Sequence, residues 1–146
     1  MESMAGDEYG LDRFTEAQDA GDAYGRALAE LRRGRKTGHW IWFVFPQIAG
    51  LGLSAMSVRY AIGSLAEARS YLAHPVLGPR LRECAEAVLA APGDAVDILG
   101  DIDAIKLRSS MTLFSRADPD DPLFPRVLDR FFEGAPDRET DRLLRL

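Results

Sequence analysis

Two tryptophans and two phenylalanines crowd into one short stretch of the chain, Gly38 to Gln47, which reads GHWIWFVFPQ. Aromatic side chains bury roughly 150–250 Å² each, so this stretch has to anchor a core, line a pocket or do both. Its composition fits a buried strand as well as a buried helix. Because no second stretch has convincing strand character, we predict a short helix or an irregular buried segment here.

Start and stop signals divide the rest of the chain into helices. Apolar residues recur at helical spacing from Arg13 to Gly34, which predicts one long first helix. Polar residues that cap helices precede later segments: Ser54 or Ser57, Ser64 with Glu67, Asp94, and Asp137. The pattern predicts an all-α fold, a compact single-domain bundle of about six to eight helices, several of them short.

The length of 146 residues suits one ordinary domain. The polar and acidic residues 1–10 are predicted to be disordered, and residues 11–146 to form a single helical domain. We expect no sheet of three or more strands. The predicted core contains Phe14, Trp40, Phe43, Leu72, Leu81, Leu128 and Phe131.

Charge and cysteine content narrow the function classes. A net charge of −5 argues against general binding to nucleic acid or to anionic membranes. No apolar run approaches the ~20 residues that cross a bilayer, and the N-terminus lacks the pattern of a secretory signal. Cys84 is the single cysteine, which excludes an internal disulfide and suits a reducing compartment. We therefore expect a cytoplasmic protein with Cys84 in its core.

Common catalytic signatures are absent. The sequence has no glycine-rich phosphate loop, no paired-histidine zinc motif, no Cys-x-x-Cys and no Gly-x-Ser-x-Gly elbow. Magnesium could bind carboxylates at Asp101, Asp103 or residues 118–121, but helix caps and solvated loops explain these aspartates more simply. We expect no metal and no redox cofactor.

Basic residues are mostly arginines, and Lys36 and Lys106 are the two lysines. Retained lysines hint at positions that the larger planar guanidinium does not suit. Lys36 also closes a short basic cluster, residues 32–36, that fits either a phosphate site or a solvated helix end.

Three motifs carry a resemblance to a known family. They are Phe14-x-x-Ala17-Gln18, Gly34-x-Lys36-x-x-His39-Trp40-x-Trp42-Phe43-x-Phe45-Pro46-Gln47, and Asp103-x-x-Lys106-x-x-Ser109-Ser110-Met111-Thr112-Leu113-Phe114. The chain resembles, from about Leu11 to Leu144, an uncharacterised bacterial family of unknown function that is sometimes labelled calpastatin-like. The resemblance implies a mostly helical single domain and brings no established activity. The label itself does not suit a chain of globular composition, since calpastatin-type inhibitors are long and disordered.

These motifs contain polar groups that a core does not need. The candidate ligand-binding residues are Lys36, Trp40, Trp42, Gln47, Lys106, Ser109, Ser110 and Thr112, and His39 is the candidate catalytic residue. Polar groups that converge on an aromatic floor are typical of a small-molecule pocket. Tryptophan faces would stack on a ring, Gln47 would read a hydrogen-bonding edge, and His39 would act as general acid or base. The two lysines would bind one phosphate or carboxylate, so we expect them to lie close together.

Simpler interpretations stay open for each residue. The hydroxyls can bond back to helix carbonyls, the tryptophans can only pack, and His39 can satisfy a carbonyl inside the core. Taken as a set, the residues favour a protein that binds a phosphorylated ring-bearing metabolite, such as a nucleotide or ADP-ribose derivative. If the protein is an enzyme, we expect it to hydrolyse this metabolite. We expect a monomer or a homodimer. The alternative is a non-catalytic protein-interaction or homodimerisation module that presents an exposed aromatic patch. The orientation of Trp40 and Trp42 distinguishes the two hypotheses: side chains that line a concave pocket favour the metabolite site, and side chains on a flat exposed surface favour the interaction module.

Overall fold

Helices make up the regular structure between residues 7 and 145, the part of the chain that this computed structural model describes. In chain order they are α1 (Asp12–Asp19), α2 (Ala23–Arg33), α3 (Ile41–Val44), α4 (Ala55–Arg59), α5 (Leu65–Ala73), α6 (Leu77–Ala90), α7 (Ala95–Leu99), α8 (Asp101–Ala117), α9 (Leu123–Phe132) and α10 (Arg138–Leu144). A turn of 3₁₀ helix, Ala20–Asp22, joins α1 to α2. No strand forms within residues 7–145, where Ile48 and Ile62 make an isolated parallel bridge. The predicted all-α class is confirmed.

The longest helix, α8, lies at the centre of the domain. Helices α5, α7, α9 and α10 pack against it, while α6 packs against α2, α5 and α9. Leu107, Met111 and Phe114 of α8 are fully buried in a single hydrophobic core. The predicted single domain with several short helices is therefore confirmed, and α3 is the short buried helix expected of the aromatic stretch.

The predicted core is confirmed at every position except Phe131. The first two turns of α9 bury Leu123, Phe124, Val127 and Leu128. Phe131 lies in the last turn, beyond the main body of the core, and is partly buried. It packs beside Phe132, with the Arg130 guanidinium 4.1 Å from its ring centroid.

The prediction of one long first helix is wrong. Gly21 and Asp22 both adopt left-handed backbone conformations with φ near 57°, which ends α1 and starts α2 in a new direction. The break lets α1 pack against α3 while α2 packs against α6. Apolar spacing does not register such a break, because it continues on both sides of the turn.

The predicted N-caps of four later helices are confirmed. Ser54, Ser64, Asp94 and Asp137 each accept a hydrogen bond from a backbone N–H in the first turn of α4, α5, α7 and α10. Gly34 ends α2 with φ 78°, a conformation that glycine adopts without steric cost.

The N-terminal prediction falls largely on residues 1–6, which lie outside the described residues. Residues 7–10 form a hydrogen-bonded turn, and Tyr9 packs against the core. Within residues 7–145 no helix is long and apolar enough to cross a membrane. Cys84 is fully buried, as predicted, and burial raises the pKa of its thiol to about 12.

Candidate functional site

The aromatic helix α3 is fixed to its neighbours by buried polar contacts. The side-chain amide of Gln18 in α1 donates to the Phe43 carbonyl at 2.8 Å. Before α3, the Lys36 backbone N–H donates to the Ile98 carbonyl at the end of α7, at 2.7 Å. These contacts hold the segment from Lys36 to Phe43 between two separate parts of the chain.

A cleft of about 330 Å³ opens beside this segment. Its walls combine small residues of the α1–α2 junction with polar and aromatic residues of α2, of α3 and the segment before it, and of the position after α4: Ala17, Ala20, Ala23, Arg26, Glu30, Gly38, His39, Trp40, Phe43 and Tyr60. The alanines leave room for a ligand, and Trp40, Phe43 and Tyr60 supply ring faces or edges. We refer to this feature as the α2 cleft.

Glu30 organises one wall of the α2 cleft. Its Oε1 atom accepts hydrogen bonds from the backbone N–H groups of Thr37 and Gly38, at 2.7 and 2.9 Å, and from the Trp40 indole N–H at 2.8 Å. Burial alone would raise the pKa of Glu30, but these donors outweigh it and lower the pKa to about 2. The carboxylate therefore stays charged and fixes Trp40 at the edge of the cleft.

Three other groups at the α2 cleft keep their hydrogen-bonding capacity. Arg26 and His39 are exposed, and neither side chain has a hydrogen bond or ion pair among residues 7–145. The Arg26 guanidinium lies beside Gly21. Tyr60 buries its ring against Phe14 and Phe43, and within the same residues its hydroxyl has no partner. Two cationic or titratable groups and a phenol thus face a space walled by aromatic rings.

The predicted proximity of the two lysines is confirmed, and the anion between them belongs to the chain. Lys36 Nζ lies 2.8 Å from Asp103 Oδ2, and Lys106 Nζ lies 3.6 Å from Asp103 Oδ1. Each ammonium also lies over an indole: Lys36 is 5.1 Å from the Trp40 ring centroid, and Lys106 is 5.3 Å from that of Trp42. We call these five residues the lysine–tryptophan cluster.

The remaining predicted residues separate into different surroundings. Ser109 and Thr112 bond to carbonyls of their own helix, as the simpler interpretation expects, and both also contact Asp137 at the start of α10. Gln47 is half-buried. The Oγ atom of Ser110 and the indole N–H of Trp42 are buried without a hydrogen-bond partner among the described residues.

His39 matches neither of its sequence interpretations completely. The expectation of a buried, core-bonded histidine is wrong, because the side chain is exposed. His39 does border a cleft, but its neighbours there are Arg26, Glu30 and Tyr60. Lys36, Gln47 and Ser110, which the sequence predicted to lie in the same pocket as His39, do not line that cleft.

Sequence reasoning missed Arg26, Glu30 and Tyr60. Glu30 carried one usable signal, because it lies in the apolar stripe of α2 between Leu28 and Leu31, where a charge needs buried partners. Arg26 and Tyr60 carried none, since α2 and the residue after α4 border the same cleft only in the folded domain. No group of three or more His, Cys, Asp or Glu side chains that could hold a metal gathers within residues 7–145.

The fold and the cleft define a small helical protein with a polar, aromatic-walled site. The chain belongs to a family described as a protein of unknown function (DUF1810), whose model matches residues 8–144. It is similar to a solved structure, the conserved hypothetical protein Rv1873 from Mycobacterium tuberculosis at 1.38 Å. The two share 47% sequence identity and a TM-score of 0.91, over 94% of this chain and 98% of that one. No curated protein matches the chain. The comparisons confirm the family resemblance and bring no activity with it.

Proposed function

We propose that the protein binds an anionic, ring-bearing small molecule in the α2 cleft, of the size of a mononucleotide or one end of an ADP-ribose derivative. The observation that carries this proposal is the presence of Arg26, His39 and the Tyr60 hydroxyl, all without a hydrogen-bond partner or ion pair among residues 7–145, around one aromatic-walled space. A volume of about 330 Å³ lies at the lower end of the range typical of small-molecule sites.

The proposed roles follow from the chemistry of each group. Arg26 presents a planar fork of donors that matches phosphate and carboxylate oxygens. His39 lies at the same opening, where a ring N–H can donate a hydrogen bond to an anion. A hydrolytic reaction would use His39 as its general acid or base, and it would need no metal or redox cofactor. The free thiol of Cys84 suits a cytoplasmic setting.

The alternative of an interaction module needs an exposed aromatic patch. Trp40 is buried with 3% of its surface exposed, Phe43 and Phe45 are also buried, and Trp42 is partly buried beneath Lys106. The rings therefore line walls and fill the core, which favours the small-molecule proposal.

A thermal-shift screen tests the proposal. The panel contains nucleoside monophosphates and diphosphates, sugar phosphates, and NAD-derived metabolites including ADP-ribose. A compound at about 100 times its dissociation constant should stabilise the native state by about 2.7 kcal/mol. Such a gain corresponds to a shift of roughly 5–10 °C for a domain of this size.

Arg26→Gln should keep the unfolding temperature of the free protein and reduce the ligand-induced shift, because Arg26 is exposed and unpaired among the described residues. Arg33→Gln is the matched control, since Arg33 is an exposed arginine of the same helix that lies outside the cleft. A wild-type protein that responds to no compound of the panel, or an equal loss in both variants, would contradict the proposal.

A further inference from the structure

The two oxygens of the Glu30 carboxylate differ in their surroundings. Oε1 accepts all three hydrogen bonds, from Thr37, Gly38 and Trp40. Oε2 accepts none from residues 7–145. A carboxylate can accept about four hydrogen bonds, so one charged oxygen keeps its full accepting capacity.

This second oxygen lies at the wall of the α2 cleft. A Cβ atom placed on Gly38 would lie 3.3 Å from Glu30 Oε2 and 3.0 Å from Trp40 Cδ1, and Gly38, Glu30 and Trp40 all line the cleft. The missing side chain at Gly38 therefore leaves the approach to Oε2 uncrowded. Glu30 itself is 7% exposed, so the carboxylate is held in place and little of it is solvated.

The charges around the cleft give a bound ligand a direction. An anionic group is repelled by Glu30, is attracted by Arg26 and can accept a hydrogen bond from the ring N–H of His39. A neutral donor is attracted by Glu30, since hydrogen bonds to a charged acceptor are roughly twice as strong as those between neutral groups. Arg26 and Glu30 are four residues apart on α2, so their Cβ atoms lie roughly 5–6 Å apart on one helix face.

We propose that Glu30 Oε2 is the specificity-determining acceptor of the cleft and selects ligands that carry a neutral N–H or O–H donor away from their anionic group. This inference rests on the proposed function. In a nucleotide the donor would be an exocyclic amine of the base or a hydroxyl of the sugar, with the phosphate at Arg26 and His39. A ring-bearing anion without such a donor would leave Oε2 desolvated and unpaired.

Matched ligand pairs test this selection by isothermal titration calorimetry on the full chain. AMP is compared with purine riboside 5′-monophosphate, which lacks the amine, and GMP with IMP. Each nucleotide is also compared with its 2′-deoxy form, so that base and sugar donors are distinguished. Wild type should bind the donor-bearing member of one pair about 10-fold more tightly or better, the value of one charge-assisted hydrogen bond.

Glu30→Gln is the informative variant because its amide oxygen can keep the three donors at the Oε1 position. Its NH₂ group then replaces Oε2 and turns the acceptor into a donor. We expect the preference for the donor-bearing ligand to fall to about 2-fold or less, while the donor-lacking ligand binds as tightly as it binds wild type or more tightly, because the repulsion of its anionic group and the unpaired carboxylate oxygen are both removed. If Glu30 had only a structural role, the variant would bind both ligands more weakly, and by the same factor.

Gly38→Ala provides a second variant that keeps the carboxylate and crowds its free oxygen. Gly63→Ala is the matched control, since a Cβ there would lie 3.3 Å from Glu67 Oε1, away from the cleft. Gly38→Ala should reduce the preference for the donor-bearing ligand, and Gly63→Ala should leave this preference unchanged.

Equal wild-type affinities within every ligand pair would overturn this inference and keep the proposed function. Failure of every panel compound and every nucleotide to bind would overturn both.

Discussion

The α2 cleft and the lysine–tryptophan cluster share Trp40 but treat their charges in opposite ways. In the cluster, both ammoniums form ion pairs with the one carboxylate of Asp103, and each lysine covers an indole. In the cleft, Arg26 and His39 are exposed and unengaged among the described residues. The residues that looked most like an anion site in the sequence are thus paired internally, while an inconspicuous arginine is available. Availability, more than residue type, separates a structural ion pair from a binding group.

The largest expected effect concerns acid stability of the cleft wall. The pKa of Glu30 falls from an ordinary 4.5 to about 2 on folding, so its contribution is present above about pH 5 and is lost as the pH falls towards 2. The shift corresponds to about 3 kcal/mol of unfolding free energy. Glu30→Gln removes the titrating group, so its unfolding free energy should fall less than that of wild type as the pH is lowered.

Urea unfolding at pH 6 and pH 3 measures this effect in wild type and in Glu30→Gln. Glu86→Gln, at an exposed position of α6, serves as the control and should follow wild type. If Glu30→Gln lost as much stability between the two pH values as wild type does, the claim that Glu30 is a charged carboxylate held in the cleft wall would be disproved.

A somewhat smaller effect is expected at the cluster. Asp103→Asn leaves two ammoniums without their counter-ion, and the side chains of Lys36 and Lys106 are only 8% and 20% exposed. Because these groups retain some solvent contact, we expect a loss of about 2 kcal/mol, below that of a fully buried pair. Asp101→Asn, in the same first turn but exposed, should cost less than about 1 kcal/mol.

Inorganic phosphate sharpens this comparison. Once Asp103 is neutral, millimolar phosphate should raise the unfolding temperature of Asp103→Asn and leave that of wild type nearly unchanged. An equal rise in wild type would show that the lysines bind external anions despite Asp103. The claim that the cluster lysines are paired internally, while the basic groups of the cleft can bind a ligand, would then be contradicted.

The smallest predicted effect compares the two tryptophans. Trp40→Phe removes an indole donor that is bonded to Glu30, whereas Trp42→Phe removes one that has no partner among the described residues. Both changes lose ring volume, at a buried position for Trp40 and at a partly buried one for Trp42, so the difference combines the hydrogen bond with the larger packing loss at Trp40. Trp40→Phe should cost about 1–2 kcal/mol more, as measured by urea unfolding followed by circular dichroism. Equal costs would contradict the assigned role of Trp40.

Local signals predicted most of the fold. Ser54, Ser64, Asp94 and Asp137 cap helices because a short polar side chain reaches a backbone N–H within its own first turn. The left-handed turn at Gly21 escaped prediction, since the helical spacing of apolar residues is the same on both sides of it. For the site, the sequence correctly paired Lys36 with Lys106, yet it missed Asp103 as their partner.

The sequence by itself determined the helical class, most helix boundaries, the burial of the aromatic stretch and the family, because these depend on neighbouring residues and on motif spacing. The tertiary structure decided which charged groups stay available. Lys36 meets Asp103 only when the segment before α3 lies against the start of α8. Arg26 makes no ion pair among the described residues although Glu30 lies four residues further along the same helix, since Thr37, Gly38 and Trp40 hold the Glu30 carboxylate. Hydrogen bonds and ion pairs act over a few ångströms, and residues distant in the chain reach such distances only in the folded domain.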